Sequence, residues 1–201
     1  MIRAMLWDAD GVLQHSPAGW REVLDEAGGE GFAEAVFRSE LPALRGEEPL
    51  RTALERVLRE WPHRTGLDAD TLLELWERAV VDEDAMAVVQ EVRDRGITCV
   101  LATNQQDHRR AWMRDVLGHD ARFDRVYYSS EMGVMKPDPA YFHHIVDDLG
   151  LAPHEAGFVD DSHANIEAAA EAGLHAVHHD PDSGAAALRR EVEGLLDSTR
   201  R

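Results

Sequence analysis

Two aspartates, Asp8 and Asp10, stand one residue apart at the end of an apolar segment, and Gly11 follows them. Alternation along a strand directs residues i and i+2 to the same side, and a glycine allows the chain to turn sharply beneath them. The two carboxylates therefore face one small volume. Such a pair suits phosphoryl transfer, in which one carboxylate attacks phosphorus, the other moves a proton and a hard cation screens their repulsion.

The same Asp-x-Asp pattern also occurs in this chain for a structural reason. Asp68 and Asp70 follow a polar stretch and precede a leucine-rich run, which predicts a helix N-terminus with a capping aspartate. Asp8 and Asp10 differ because an apolar strand precedes them and Gly-Val-Leu follows them. That context favours a catalytic role for this first pair.

Three further segments place polar groups at the ends of predicted strands or just after them. One strand ends on Thr103, a later turn contains Lys136, and another strand ends on Asp160 and Asp161. Lys136 is the one lysine among 21 lysines and arginines, so this position favours a compact ammonium over a planar guanidinium. The carboxyl ends of parallel strands line up at one sheet edge, where ligands bind. Four distant segments therefore predict a single site.

With these segments in this order, the sequence resembles the haloacid dehalogenase-like hydrolase superfamily over nearly the whole chain. The resemblance rests on four motifs: residues 8–12, Thr103, Lys136, and Asp160-Asp161 with Asn165. Asn165 stands where many relatives have a second acid, so the resemblance implies a supporting, hydrogen-bonding role for it. Gly11 supports the first motif.

The resemblance also implies a role for each catalytic position. Asp8 would be the nucleophile that forms an aspartyl-phosphate, and Asp10 the general acid and base. Thr103 and Asn104 would contact the phosphoryl group. Lys136 would neutralise the charge of the nucleophile and of the phosphate.

A magnesium ion is part of what the resemblance implies. Asp8, Asp161 and the backbone carbonyl of Asp10 would hold Mg2+, with Asp160 assisting from beside it. The charges support this expectation, because carboxylates crowded into one site raise one another's pKa unless a cation is present. Mg2+ and Lys136 would supply that positive charge.

Composition restricts the classes of partner. The chain has 201 residues, 44% of them hydrophobic, and a formal net charge of −18. Such a charge argues against nucleic acid or an anionic membrane as a partner. The single cysteine, Cys99, excludes an intramolecular disulfide and a cysteine-rich zinc site. No apolar run approaches the roughly 20 residues of a membrane span, so we expect a cytoplasmic protein.

The order of the predicted elements indicates the fold. Strands are expected near residues 2–8, 97–102, 125–128, 156–160 and 174–178, and helices near 84–95, 107–117, 139–149, 163–172 and 185–196. This alternation predicts an α/β protein with a doubly wound parallel sheet. The stretch 15–81 shows helical periodicity instead and predicts an inserted, small helical cap. The catalytic core would then comprise residues 1–14 and 82–201.

Within the cap, Trp20, Arg45 and Glu47 are candidate substrate contacts, because the loop around Arg45 joins two cap helices. The alternative for Arg45 is a solvated loop charge. Trp61 and Trp76 are expected in the core of the cap.

These features predict a Mg2+-dependent phosphatase that acts on a small phosphorylated metabolite, such as a sugar phosphate, as a monomer or a homodimer. A phosphomutase is the nearest alternative, because it uses the same residues and returns the phosphoryl group to a sugar instead of passing it to water. A protein that binds a phosphorylated ligand without turnover is an alternative from another class. A panel of phosphorylated metabolites would distinguish these functions.

Overall fold

The computed structural model describes residues 1–16, 19–63 and 65–199. The strands of this part of the chain are β1 Ala4–Trp7, β2 Gln14–His15, β3 Val80–Val81, β4 Thr98–Thr103, β5 Arg125–Tyr128, β6 Ala156–Asp160 and β7 His175–His178. Its α-helices are α1 Trp20–Gly28, α2 Phe32–Leu44, α3 Leu50–Glu60, α4 Ala69–Leu73, α5 Glu83–Asp94, α6 Asp107–Asp115, α7 His119–Arg122, α8 Ser129–Met132, α9 Pro139–Asp148, α10 His163–Glu171 and α11 Ala185–Ser198.

A parallel sheet with the strand order β5-β4-β1-β6-β7 forms the centre of the molecule. All four residues of β1 are buried, as expected for a strand that is covered on both faces. Trp7 pairs with Leu101 on one side and with Val159 on the other. This register aligns the carboxyl ends of β1, β4 and β6 at one edge, and it confirms the predicted doubly wound sheet.

Helices cover both faces of the sheet. On one face, α5 and α11 bury Val88, Val92 and Leu188 against Met5 and Trp7 of β1. On the other face, the apolar side chains of α9 and α10 pack with those of β1 and β6 in a second cluster. The helix predicted near residues 185–196 is confirmed as α11, which packs in the first of these clusters.

The helices α1 to α4 form the inserted cap, which has its own apolar cluster, including Leu24, Phe32, Leu54 and Trp76. The insertion begins and ends at a ribbon of β2 and β3, which are antiparallel. The sequence did not reveal this ribbon, because two residues per strand are too few to show alternation. The exact domain boundaries at 14/15 and 81/82 stay a prediction.

Two further observations concern the chain as a whole. Among the described residues, no helix has the length and apolar character needed to cross a membrane. Cys99 is a free, buried thiol, and burial raises its pKa to about 12. It is therefore a packing residue of β4.

Candidate active site

Lys136 joins the two carboxylates at the ends of the neighbouring strands β1 and β6. Its Nζ lies 2.7 Å from Oδ1 of Asp8 and 2.6 Å from Oδ2 of Asp160, and it donates a third bond, of 3.0 Å, to the carbonyl oxygen of Ala102. Its side chain is 1% exposed. All three ammonium protons thus have acceptors inside the protein, and a compact ammonium fits this arrangement.

Asn104 fixes the backbone of Lys136. The Nδ2 of Asn104 donates to the carbonyl oxygen of Lys136, and the backbone N–H of Lys136 donates to Oδ1 of Asn104, both at 2.9 Å. This reciprocal pair connects the end of β4 to the turn that follows α8. Asn104, predicted as a phosphate contact, therefore lies at the site with its amide engaged in positioning the lysine.

Asp160 is held from several directions. Its Oδ1 accepts the backbone N–H of Ser162 at 2.8 Å, and Asn165 Nδ2 lies 2.9 and 3.0 Å from its two oxygens. With Lys136 on Oδ2, both oxygens have partners, and the residue is fully buried. Asn165 thus occupies the supporting position that the sequence predicted for it.

Asp161 lies beside this buried acid and is partly exposed. Gly11 approaches it closely: at a φ of 78°, a Cβ on Gly11 would lie 2.4 Å from Oδ2 of Asp161. Any side chain at position 11 would therefore displace the carboxylate as well as strain the backbone. This contact explains why a glycine follows the two aspartates of the first motif.

Three carboxylates of the described residues could hold a metal ion together. Asp8, Asp160 and Asp161 each offer an oxygen, and these atoms lie within 4.8 Å of one another. Burial raises the pKa of Asp8 to about 7; Lys136 opposes this shift, and Asp160 adds to it. Burial, and then Asp160, also raise the pKa of Asp161. One ammonium does not balance three acids, so a hard divalent cation fits the cluster.

The carboxylate of Asp10 has a separate set of partners. Gln14 Nε2 donates to Oδ1 at 3.0 Å, Gln105 Nε2 donates to Oδ2 at 2.7 Å, and a terminal guanidinium nitrogen of Arg109 lies 2.6 Å from Oδ1. These three residues were not predicted from the sequence. The polar run that directly follows β4 was the available signal for Gln105. Arg109 lies inside helix α6. An arginine in a helix usually lies on the protein surface, so its residue type gave no signal of a role at the site.

A buried histidine supports this group of donors. His119 Nε2 lies 2.9 Å from Oε1 of Gln14, whose amide nitrogen already donates to Asp10, so we assign the ring proton to Nε2. Burial lowers the pKa of His119 to about 4, and the charge of Arg122 adds to this effect. The imidazole is therefore neutral near pH 7 and acts as a hydrogen-bond donor that orients Gln14.

Thr103 is the last residue of β4 and is buried. Gln105 Nε2, which donates to Asp10, lies 3.5 Å from its Oγ1. The hydroxyl thus lies beside the donors of Asp10, at the sheet edge where the sequence predicted it.

A cavity of about 310 Å³ lies between the cap and this edge. It is lined by Asp10, Ser16, Trp20, Phe37, Glu40, Leu44, Trp76, Asn104, Gln105 and Arg109. Trp20 thus lies where a substrate contact was predicted. Arg45 and Glu47 are exposed and are not part of this lining, so their contact with substrate stays a prediction. Trp76 packs in the cap core, as predicted, and also faces the cavity.

Comparison with known proteins agrees with this geometry. A model of the haloacid dehalogenase-like hydrolase family matches residues 2–173. The chain is 30% identical over 144 residues to a GMP/IMP nucleotidase of Escherichia coli, covering 70% of this chain and 65% of that relative's length. It is 31% identical over 218 aligned positions to a phosphoserine phosphatase of Thermus thermophilus, with 88% of each covered.

The fold is also similar to that of solved structures. A family enzyme from Bacteroides thetaiotaomicron, crystallised as a magnesium complex, superposes with a TM-score of 0.78 over 90% of this chain and 94% of that one. Sequence identity is 21%, so this likeness concerns the fold.

Proposed function

This chain belongs to the haloacid dehalogenase-like hydrolase family, and on that basis we propose that it is a Mg2+-dependent phosphatase acting on a small phosphorylated metabolite through an aspartyl-phosphate. The observation that carries the proposal is the division of the site into two groups. Asp8 is surrounded by Lys136 and the acid cluster. The carboxylate of Asp10 instead accepts hydrogen bonds from a separate set of donors, Gln14, Gln105 and Arg109. A nucleophile and a proton carrier need such different environments.

In the first step, an oxygen of Asp8 attacks phosphorus, the bond from phosphorus to the leaving oxygen breaks, and Asp10 gives that oxygen a proton. In the second step, Asp10 takes a proton from a water molecule, whose oxygen attacks the phosphorus of the aspartyl-phosphate. Inorganic phosphate leaves and Asp8 is restored. Lys136 and Thr103 offset the negative charge on the phosphoryl oxygens, so positioning and charge supply most of the catalysis.

The proposed metal ligands are Asp8, Asp161 and the backbone carbonyl of Asp10. Asp160 stands beside them, because its oxygens already bind Lys136, Asn165 and the Ser162 amide. When bound, Mg2+ would supply positive charge against the phosphoryl oxygens and orient the phosphate. The magnesium complex of the fold neighbour supports this choice of ion.

The relatives support a small phosphate monoester as the substrate. The two similar proteins are named for a purine nucleotide and for phosphoserine, each of which carries one monoesterified phosphate. The cavity under the cap, of about 310 Å³, is at the lower end of the range for small-molecule sites, ~300–1,000 Å³. A polymer would not fit beneath the cap in this arrangement.

Phosphate release from a panel of monoesters tests the proposal. The panel includes p-nitrophenyl phosphate, purine nucleoside monophosphates, phosphoserine, phosphoglycolate and sugar phosphates, each with Mg2+ and with a chelator. We expect release that requires Mg2+, none from Asp8→Asn, and a rate lower by about 10²–10⁴ from Asp10→Asn. A phospho-isomer product without free phosphate would replace the phosphatase with a phosphomutase. Binding without turnover of any ester would favour the non-catalytic role.

A further inference from the structure

Three aromatic rings lie in the cap wall of the cavity. The ring centroids of Trp20 and Trp76 lie 5.8 Å apart at an interplanar angle of 77°, and those of Phe37 and Trp76 lie 6.4 Å apart at 66°. All three line the cavity that Asp10 lines from the core side. A leaving group that departs toward Asp10 therefore meets apolar aromatic side chains, which suit a planar ring.

One carboxylate stands among these rings. Glu40 of α2 accepts a hydrogen bond of 2.8 Å from Nε1 of Trp76, and it lines the same cavity. Burial raises the pKa of Glu40 to about 7, against the opposing effects of the Trp76 bond and the Arg109 charge. An acid placed in apolar surroundings in this way is costly unless a partner compensates it.

Two cations near the cavity already have partners, and a third, Arg21, lies over the Phe37 ring at 5.2 Å without lining the cavity. Among the described residues lining the cavity, Arg109 carries the only guanidinium; it is bound to Asp10 at 2.6 Å, and its side chain is 8% exposed. Lys136 is buried between Asp8 and Asp160. A second negative charge on the substrate would therefore meet Glu40 and no unpaired cation among the described residues of the cavity lining.

We propose that Glu40 determines the leaving group of this enzyme, and that the preferred substrate carries a planar nitrogenous ring with an N–H donor, as in a purine nucleoside monophosphate. The aromatic side chains bind the faces of the ring, and the carboxylate accepts its N–H. A carboxylate-bearing leaving group is disfavoured by repulsion from the same acid. This inference rests on the proposed phosphatase function and specifies its substrate class.

A matched pair of ligands separates the contribution of the ring to the affinity from that of the sugar and the phosphate. Inosine 5′-monophosphate and ribose 5-phosphate share the phosphorylated ribose, and only the first carries a base. We would measure the binding of both by calorimetry with Mg2+ in an Asp8→Asn protein, which prevents turnover, with and without Glu40→Gln. Glutamine keeps a carbonyl oxygen for the Trp76 N–H, so the substitution changes the charge and leaves the shape of the cap nearly unchanged.

Above pH 7, where Glu40 is ionised, we expect Glu40→Gln to weaken the binding of inosine 5′-monophosphate by about 10-fold or more, as for a hydrogen bond to a charged group. Ribose 5-phosphate, which does not reach Glu40, should bind with nearly unchanged affinity. Glu34→Gln on the exposed face of the same helix is the matched control and should change neither affinity.

The proposal would be overturned if the nucleotide bound no more tightly than ribose 5-phosphate, or if Glu40→Gln weakened both ligands equally. Tighter binding of phosphoglycolate than of the nucleotide would overturn it as well. Because binding is measured without turnover, a wild-type protein that releases no phosphate from any ester would count against the proposed phosphatase and leave the test of base recognition intact.

Discussion

The ammonium of Lys136 lies 2.7 Å from Asp8 and 2.6 Å from Asp160, so one cation is shared by two carboxylates at the ends of adjacent strands. Burial alone lowers the pKa of Lys136, but the attraction of Asp8 and Asp160 outweighs this effect and raises the pKa above its ordinary value. The lysine is therefore charged throughout the neutral range. Both carboxylates depend on it, so we expect it to serve folding as well as the proposed catalysis.

Replacing this lysine should destabilise the protein strongly. Lys136→Met keeps the length of the side chain but leaves Asp8 and Asp160 buried without their cation, and we expect a loss of about 3–5 kcal/mol in the free energy of unfolding. Urea denaturation at pH 7 measures this loss. Asp160→Asn added to Lys136→Met should recover part of it. A loss below about 1 kcal/mol, typical of an exposed pair, would contradict the buried pairing.

The same environment should protect Lys136 from amine-reactive reagents. Acetylation needs an exposed, uncharged amine, and this side chain is 1% exposed and held ionised by Asp8 and Asp160. Mass spectrometry of the native protein treated with acetic anhydride should show Lys136 unmodified. The same treatment in denaturant should modify it, which is the control for reactivity. Rapid acetylation of Lys136 in a protein that stays folded would show that the ammonium is not buried between Asp8 and Asp160.

Mg2+ should stabilise the folded protein through Asp161. A ligand that binds only the native state raises stability by about 2.7 kcal/mol at a concentration of ~100 times its Kd, so the melting temperature should rise with Mg2+. Asp161→Ala should remove most of this rise, and Gly11→Ala should reduce it, because a Cβ there would lie 2.4 Å from Oδ2 of Asp161.

Asp147→Ala, an exposed position on α9, is the control for the loss of a surface acid. It should keep the full response to Mg2+. An equal response of the wild type and of Asp161→Ala would remove Asp161 from the proposed metal ligands.

The sheet and its active edge were predictable from sequence because both depend on local patterns. Each central strand is a short apolar run that ends on a polar residue, and parallel pairing then brings Asp8, Thr103 and Asp160 to one edge. The single lysine was conspicuous by composition alone. The family resemblance assigned these residues to catalytic roles that the geometry accommodates.

The partners of Asp10 and the cap wall were not predictable in the same way. Gln14, Arg109 and Glu40 are polar residues in a two-residue strand and in amphipathic helices, where most such residues face water. Their surroundings depend on long-range packing, of Gln14 against Met113 and His119 and of Glu40 against Trp76, and no local pattern encodes those contacts. Trp76 is an example: the sequence cannot distinguish an aromatic residue of the cap core from one that also faces the cavity, because both positions favour the same residue type.

His119 contributes a loss of stability in moderate acid, opposite in sign to the contributions of Asp8 and Glu40, whose raised pKa values favour the folded state as the pH falls. The unfolded chain binds a proton at this residue near the ordinary pKa of 6.5, whereas the folded protein does so only near a pKa of about 4. Between these values the unfolded state holds more protons, so the free energy of unfolding decreases as the pH falls. The contribution is fully present above pH 6.5, is lost progressively toward pH 4, and amounts to about 3 kcal/mol.

His119→Gln tests this expectation, because the glutamine amide can still donate to Oε1 of Gln14 but cannot take up a proton. Urea denaturation at several pH values between 4 and 7 should show the stability of the variant rising relative to that of the wild type as the pH falls, by as much as about 1.4 kcal/mol per pH unit. His143→Gln, at an exposed position of helix α9, should keep the wild-type dependence, which separates burial from the mere loss of a histidine. If His119→Gln and the wild type lost stability in parallel, His119 would not be the buried neutral group that orients Gln14.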